Sequence, residues 1–147
     1  MTLKRLKTLV FLHLAHMPMP SRRTRPHFYK LGGVKIIDYK RTFIGENVNL
    51  DTNYPEDIII EPGVRITIGG TIVTHFMEPS SGTYSRGKVH IKENAYLGAN
   101  VIICKPVTIG RDAIVGAGSV VTKDVPDGEV WAGNPARFIK KREINAE

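Results

Sequence analysis

The side chains of this chain best suited to chemistry are few, and they stand where an otherwise regular pattern breaks. His75 follows the apolar run Ile72-Val73 and immediately precedes FMEPSSGTYSRGK, a stretch without the periodicity on either side of it. Histidine is the side chain whose ordinary titration lies nearest neutrality. An imidazole at such a rim can therefore take a proton from a reacting group, general base help worth roughly 10² to 10⁴ in rate. A histidine packed at a corner of the fold is the structural alternative. Glu78, three residues on, is a candidate carboxylate to orient the ring. Cys104 is the competing nucleophile, but it lies between Ile103 and Lys105 with no histidine motif beside it to activate a thiol. A metal centre built on three converging histidines is not expected, because only His75 and His90 fall in the patterned region.

A six-residue repeat must position these groups. Ile91, Leu97, Ile103, Ile109, Val115 and Val121 follow one another at intervals of six, and the fifth residue of each unit is Ala95, Val101, Val107, Ala113, Ser119 and Val125. The first position is always aliphatic and the fifth always small or β-branched. Gly98, Gly110 and Gly116 occupy the second position, which suits a corner where positive φ or close approach of another backbone excludes a side chain. Upstream, Ile44 with Val48, Leu50, Ile60 with Val64, Ile66 and Ile72 keep the spacing, with an insertion around Asn53 to Asp57. A period of six fits neither an α-helix nor a simple hairpin sheet. It fits short flat strands joined by corners. Three hexads then close a coil of about eighteen residues, and coils stack about 4.8 Å apart through parallel hydrogen bonds. The reading places two coils over residues 91 to 126 and about two more over 44 to 75. Residues 1 to 30 are expected to cap one end, and the chain after Pro126 to fold back along the other.

Charge is unevenly distributed. Residues 1 to 30 carry seven of the 21 Lys and Arg and no acid, and the remaining fourteen bases are matched by fourteen acids. The net charge of +7 therefore belongs to the N-terminal arm, not to a face of the folded body, which argues against nucleic-acid binding. Leu3, Leu6, Val10 and Leu14 recur at helical spacing. This predicts an amphipathic helix that packs on the body or a neighbouring subunit; a basic helix lying on an anionic membrane surface is the second reading. The apolar run Leu9 to Ala15 is interrupted by His13 and lacks a small-x-small cleavage site, so it is not read as a secretory signal. One cysteine and no long apolar run suit the cytoplasm, or the inner face of the membrane if the arm binds there.

The segments GTIVTHFMEP, VHIKENAYLGANVIICKPVTIG and IVGAGSVVTKDVPDGEVWAGNPARFI, in that order, resemble the hexapeptide-repeat acyltransferase superfamily, in the branch that includes galactoside, maltose and polysaccharide O-acetyltransferases. The resemblance runs from about Ile44 to Lys141. It implies an all-β, left-handed parallel β-helix of hexapeptide repeats with an N-terminal helical arm (1–30), a β-helix domain (31–130) carrying a loop at 76–88, and a C-terminal capping extension (131–147). Left-handedness comes only from the resemblance, since parallel crossovers are right-handed in general. The implied activity is acetyl-CoA-dependent transfer to a hydroxyl of a sugar or polysaccharide precursor, direct and without an acyl-enzyme, with His75 as general base and no metal. A β-helix scaffold without activity is the alternative function.

By the same resemblance Ala99, Ala117, Thr122, Lys123, Arg137 and Lys140 contact the coenzyme, the last three nearest its phosphates. Asp51 falls where relatives often place an asparagine that positions the hydroxyl, although an ionised aspartate cannot donate a hydrogen bond. Asn53, with Tyr54 on the same insertion, and Tyr84, with Ser85 and Arg86 on the loop, are candidate acceptor contacts. Relatives often read His-Ser-His-Asp where this chain reads His75-Phe76-Met77-Glu78, so a second histidine is missing. A short prism leaves one wall of the coenzyme groove open, which predicts a cyclic homotrimer with sites between subunits.

Overall fold

The computed structural model describes residues 2–17 and 24–143; the rest of the expected arm and cap, residues 1, 18–23 and 144–147, lie outside the described residues. The protein is mostly β with two helices, and most of its strands are two residues long because each hexad spends its other residues on a corner. In such a strand one side chain points in and the other out. The inward member is the first residue of the repeat: Ile91, Leu97, Ile103, Ile109, Val115 and Val121 are all at most 1% exposed. The fifth positions are buried as well. Ser119, the polar one among them, donates from Oγ to the Gly116 carbonyl (2.6 Å) and accepts from the Gly133 amide (3.1 Å).

Three parallel sheets are visited in strict rotation. The first contains β1 (Lys35–Ile36), β4 (Ile58–Ile60), β9 (Val89–Ile91) and β12 (Thr108–Ile109). The second contains β2 (Phe43–Ile44), β5 (Arg65–Ile66), β10 (Tyr96–Leu97), β13 (Ile114–Val115), β15 (Glu129–Gly133) and β16 (Ala136–Lys141). The third contains β3 (Asn49–Leu50), β6 (Thr71–Ile72), β11 (Ile102–Ile103) and β14 (Val120–Val121). Between β6 and β9 the chain leaves this scheme to form an antiparallel hairpin of β7 (His75–Met77) and β8 (Tyr84–Arg86). Winding begins earlier than the repeat predicted, since β1 pairs with β4 and puts Ile36 opposite Ile60. At the far end β15 adds to β13 in parallel and β16 returns antiparallel along it.

The glycines of the second position serve close approach and not positive φ. A Cβ on Gly98 would lie 2.5 Å from the Ala117 amide nitrogen of the next coil, and one on Gly116 would meet the Ala132 Cβ at 2.9 Å. Positive φ falls instead on the fourth position of the unit, at Asn94, Asn100, Asp112 and Gly118 (φ 55° to 70°). Asparagine and aspartate tolerate that region better than other residues with a Cβ.

The helices α1 (Leu3–His16) and α2 (Thr24–Leu31) cover the first coil. Thr2 caps α1 by accepting from the Arg5 amide. Arg25, buried on α2, ties the two helices to the coil through the carbonyls of Ala15 (3.0 Å) and Ile44 (3.3 Å). The face of α1 that packs on its own chain is not the stripe of Leu3, Leu6, Val10 and Leu14. Leu12 and Ala15 are buried, whereas Leu3, Leu6 and Val10 are 83%, 44% and 46% exposed and Leu14 is half-buried. Leu12 packs because Gly32 leaves it a slot: a Cβ at Gly32 would lie 2.7 Å from Leu12 Cδ2.

Candidate active site

The site forms where the first two coils stack and the second one ends. Register between β3 and β6 sets Leu50 beside Ile72. Asp51 continues the ladder by donating its amide to the Ile72 carbonyl at 2.9 Å, so it arrives next to the residues that precede His75. Val73 still keeps register with the next coil, donating to the Ile103 carbonyl at 2.9 Å. His75 is the first residue to leave it.

The Asp51 side chain is 1% exposed and accepts five hydrogen bonds. Oδ1 receives the amides of Asn53 (2.8 Å) and Tyr54 (3.3 Å), and Oδ2 receives the Thr74 amide (2.9 Å), the Thr74 hydroxyl (2.7 Å) and His75 Nδ1 (2.6 Å). Burial alone would raise the Asp51 pKa, but the bonds from Thr74, His75 and Asn53 outweigh it and hold the pKa at about 2. The carboxylate is therefore ionised at neutrality. An ionised carboxylate only accepts, so Nδ1 of neutral His75 carries the hydrogen and Nε2 presents its lone pair.

The other side of the ring agrees with that tautomer. Asn53 Nδ2 lies 3.3 Å from His75 Nε2, and Asn53 Oδ1 accepts from Arg5 Nη2 at 2.8 Å. A guanidinium only donates, which turns the Asn53 amide so that its NH₂ group faces the imidazole. Four side chains thus form one directional chain of donors from Arg5 to Asp51. Tyr54 sets its ring edge against His75 at a centroid separation of 5.5 Å. Arg86 lies over the Tyr54 ring at 4.2 Å and pairs with Asp57 at 2.7 Å, fastening the hairpin to the insertion.

His75 is a quarter exposed and opens on a cleft of about 260 Å³ lined by Asn49, Asp51, Asn53, Thr71, Val73 and His16. Two larger grooves, of about 490 and 560 Å³, run past Arg41, Arg65 and Tyr96 on the outer face of the second sheet and share no lining residue with the His75 cleft. Size is therefore no guide to the chemistry here, and the placement of the imidazole decides. Such a ring, with a hydrogen-bonded carboxylate behind it and a lone pair in front that a hydroxyl can take over from the Asn53 amide, can deprotonate that hydroxyl and stabilise the resulting imidazolium.

Two expectations change. Asp51, placed by resemblance among the acceptor contacts, lies behind His75 in the wall of the cleft with both oxygens engaged, so its side chain orients the base. Glu78 does not orient His75; its carboxylate bonds the Ser80 hydroxyl (2.8 Å) and amide (3.3 Å) on the exposed hairpin. Tyr84 is 75% exposed on β8 opposite Met77. Thr74 and Arg5 were not singled out as site residues, and no spacing in the sequence signals either.

Four of the expected coenzyme residues lie along two edges of the third sheet, and two lie on β16 of the second. Thr122 and Lys123 follow β14 and, by the register Ile72–Ile103–Val121, stack beneath Val73 and Thr74 two coils below. Ala99 and Ala117 precede β11 and β14 at the opposite edge, joined by the Gly118 amide donating to the Ala99 carbonyl at 2.7 Å. Arg137 and Lys140 are exposed on β16.

The family model described as bacterial transferase hexapeptide (six repeats) matches residues 88–123. The galactoside O-acetyltransferase of Escherichia coli K12 is 37% identical over 119 residues, covering 81% of this chain and 52% of that protein. The galactoside O-acetyltransferase of Lactococcus lactis is 39% identical over 126 residues, covering 82% of this chain and 59% of that one. The chain thus spans between half and three fifths of the length of these relatives. Among solved structures, a hexapeptide-repeat acetyltransferase of Vibrio cholerae complexed with acetyl coenzyme A superposes with a TM-score of 0.79 at 22% identity, covering 96% of this chain and 88% of that one. The repeat, the order of its strands and these likenesses agree that the chain belongs to the hexapeptide-repeat acyltransferase superfamily, in the branch of the galactoside and maltose O-acetyltransferases.

Proposed function

We propose that this protein transfers an acetyl group from acetyl coenzyme A to a hydroxyl of a sugar or polysaccharide precursor, using His75 as general base. The observation that carries the reading is the 2.6 Å contact between buried, ionised Asp51 and His75 Nδ1, which puts the lone pair on Nε2, where only the Asn53 amide meets it at the lip of a cleft. The names of the relatives support acetyl transfer, and the acetyl coenzyme A complex of the Vibrio cholerae structure supports the donor.

The proton balance closes without a second titrating residue. His75 takes the hydroxyl proton through Nε2 while the oxygen bonds to the acetyl carbon, and it returns that proton to the sulfur as the carbon–sulfur bond breaks. Asp51 holds the ring throughout and offsets the charge of the imidazolium. The residues fit an extended donor. Ala99 and Ala117 stack as small side chains where Gly98 lets two backbones meet, leaving room for an amide-bearing arm, and Lys123, Arg137 and Lys140 supply cations for phosphates. His75 and the alanine pair occupy opposite edges of one sheet, seven register positions apart through the pairing of Ile72 with Ile103 and of Ile103 with Val121. A donor lying against one alanine ladder therefore meets the base of a neighbouring copy more readily than that of its own chain. This favours a cyclic trimer with sites between subunits, and the likeness to hexapeptide-repeat acetyltransferases supports a left-handed winding of the β-helix.

Thiol release from acetyl coenzyme A, measured against a panel of sugars, tests the assignment. Turnover with at least one sugar is expected, falling by about 10² to 10⁴ in His75→Ala. Release that persists undiminished in the variant would remove His75 from the mechanism, and no release with any acceptor would favour the scaffold function.

A further inference from the structure

The N-terminal helix reaches the base through a single intermediary. Thr52 and Asn53 line two adjoining spaces: the cleft beside His75, and a groove of about 160 Å³ walled by Thr2, Lys4, Arg5 and Thr8 on one side and by Pro55 and Glu56 on the other. Among the described residues Glu56 is the only acid in that wall, and its carboxylate stands 3.6 Å from Arg86. Among the described residues neither Lys4 nor Arg5 forms an ion pair. The groove is consequently a cationic annex to the cleft, and its cations are not neutralised from within.

Asn53 connects the two spaces. At rest its NH₂ group faces the lone pair of His75 Nε2, the atom a reacting hydroxyl must reach, and its carbonyl oxygen accepts from Arg5. A hydroxyl arriving at Nε2 displaces that amide. Displacement strips Arg5 of the side-chain acceptor it has at rest, and its donors then face the groove. An acceptor molecule that brings an oxyanion together with its hydroxyl satisfies both vacated positions; a neutral one satisfies only Nε2. We infer that the hydroxyl-bearing acceptor is anionic, carrying a phosphate or carboxylate that Arg5 and Lys4 bind in the groove next to His75. This rests on the transfer reading above and narrows its substrate class.

Hydrogen bonds to a charged partner at a partly screened site correspond to about a tenfold effect on affinity. The matched probes are methyl α-glucoside, glucose 1-phosphate and methyl α-glucuronide, the last two separating phosphate from carboxylate. The wild type should favour a charged probe over the neutral one by about tenfold in kcat/KM, and the preference should shrink in about 0.5 M salt. In Arg5→Ala the charged-to-neutral ratio should fall about tenfold, chiefly through KM. Arg5→Lys should restore most of it, and Lys88→Ala, an exposed change elsewhere, should leave the ratio as it is. Equal use of charged and neutral probes by the wild type, or loss of both alike in Arg5→Ala, would overturn the inference while leaving acetyl transfer standing. A readout independent of turnover is the amide spectrum during titration of glucose 1-phosphate without acetyl coenzyme A. Shifts confined to residues 2–8 and 52–56, and absent in Arg5→Ala, are expected. Their absence in the wild type would sink the anion site, and their presence in a protein that transfers nothing would count against the transfer reading instead.

Discussion

Asp51→Asn is the perturbation that probes the site most directly, because it keeps the volume and removes the charge. The carboxylate accepts five hydrogen bonds through two oxygens, whereas a carboxamide has one oxygen and one NH₂. If the amide oxygen faces Thr74 and His75, the NH₂ group confronts the Asn53 and Tyr54 amides, two donors with no acceptor. If it turns the other way, its NH₂ faces Nδ1, which must become the acceptor; the hydrogen then sits on Nε2 and the base is lost. Either arrangement forfeits a charge-assisted bond of about 1.5 to 3 kcal/mol and leaves at least one buried donor unsatisfied. Together these come to about 2 to 4 kcal/mol on the transition state, or roughly thirtyfold to a thousandfold in kcat/KM. Thiol release measures the rate, and nitrogen-detected spectra of the imidazole report which ring nitrogen carries the hydrogen. A variant within threefold of wild type, with the Nδ1–H tautomer intact, would refute the role given to Asp51.

Three further outcomes follow from the same geometry. Cys104→Ser should change kcat by less than about twofold, since direct transfer uses no thiol; abolished turnover would point to a covalent route. Gly98→Ala should destabilise the fold by about 3 kcal/mol, because its Cβ would lie 2.5 Å from a backbone nitrogen, whereas Gly118→Ala, in open space at φ 70°, should cost about 1 kcal/mol from backbone conformation alone. Urea unfolding of both variants checks that order. Finally, Asp51 titrates at about 2 in the fold against its usual 3.8, so its contribution to stability is complete above about pH 4 and is lost as pH falls toward 2. It amounts to at most about 2 kcal/mol, and Asp51→Asn should flatten the stability profile in that window.

The hexads were legible because burial repeats with the period of the chain: every first position from Ile91 to Val121 is interior. His75 could be placed at a rim because periodicity stops there. The Asp51–His75 pair was not legible, since it depends on β3 stacking on β6 across an insertion that includes the 3-10 turn Pro55–Asp57. Spacing alone could not show that the aspartate would turn inward to collect the amides of its own insertion. Which face of α1 packs on its own coil was not legible for a different reason. Apolar residues occupy much of the helix circumference, and the choice between stripes is made by Gly32, a residue sixteen or more positions beyond any of those on α1. The role of Arg5 depends on that docking and was invisible for the same reason.

The hairpin of residues 75–86 leaves the coil and returns to it without disturbing the ladder: Ile60 still pairs with Ile91 and Ile72 with Ile103. Stacking is between coils, so the length of an excursion at a corner does not enter the core at all. Doubling such a loop costs only about 0.6 kcal/mol in closure entropy. The tip of the hairpin, between Met77 and Tyr84, can therefore change length without moving the interior, while its two ends stay fixed by His75 on Asp51 and Arg86 on Asp57.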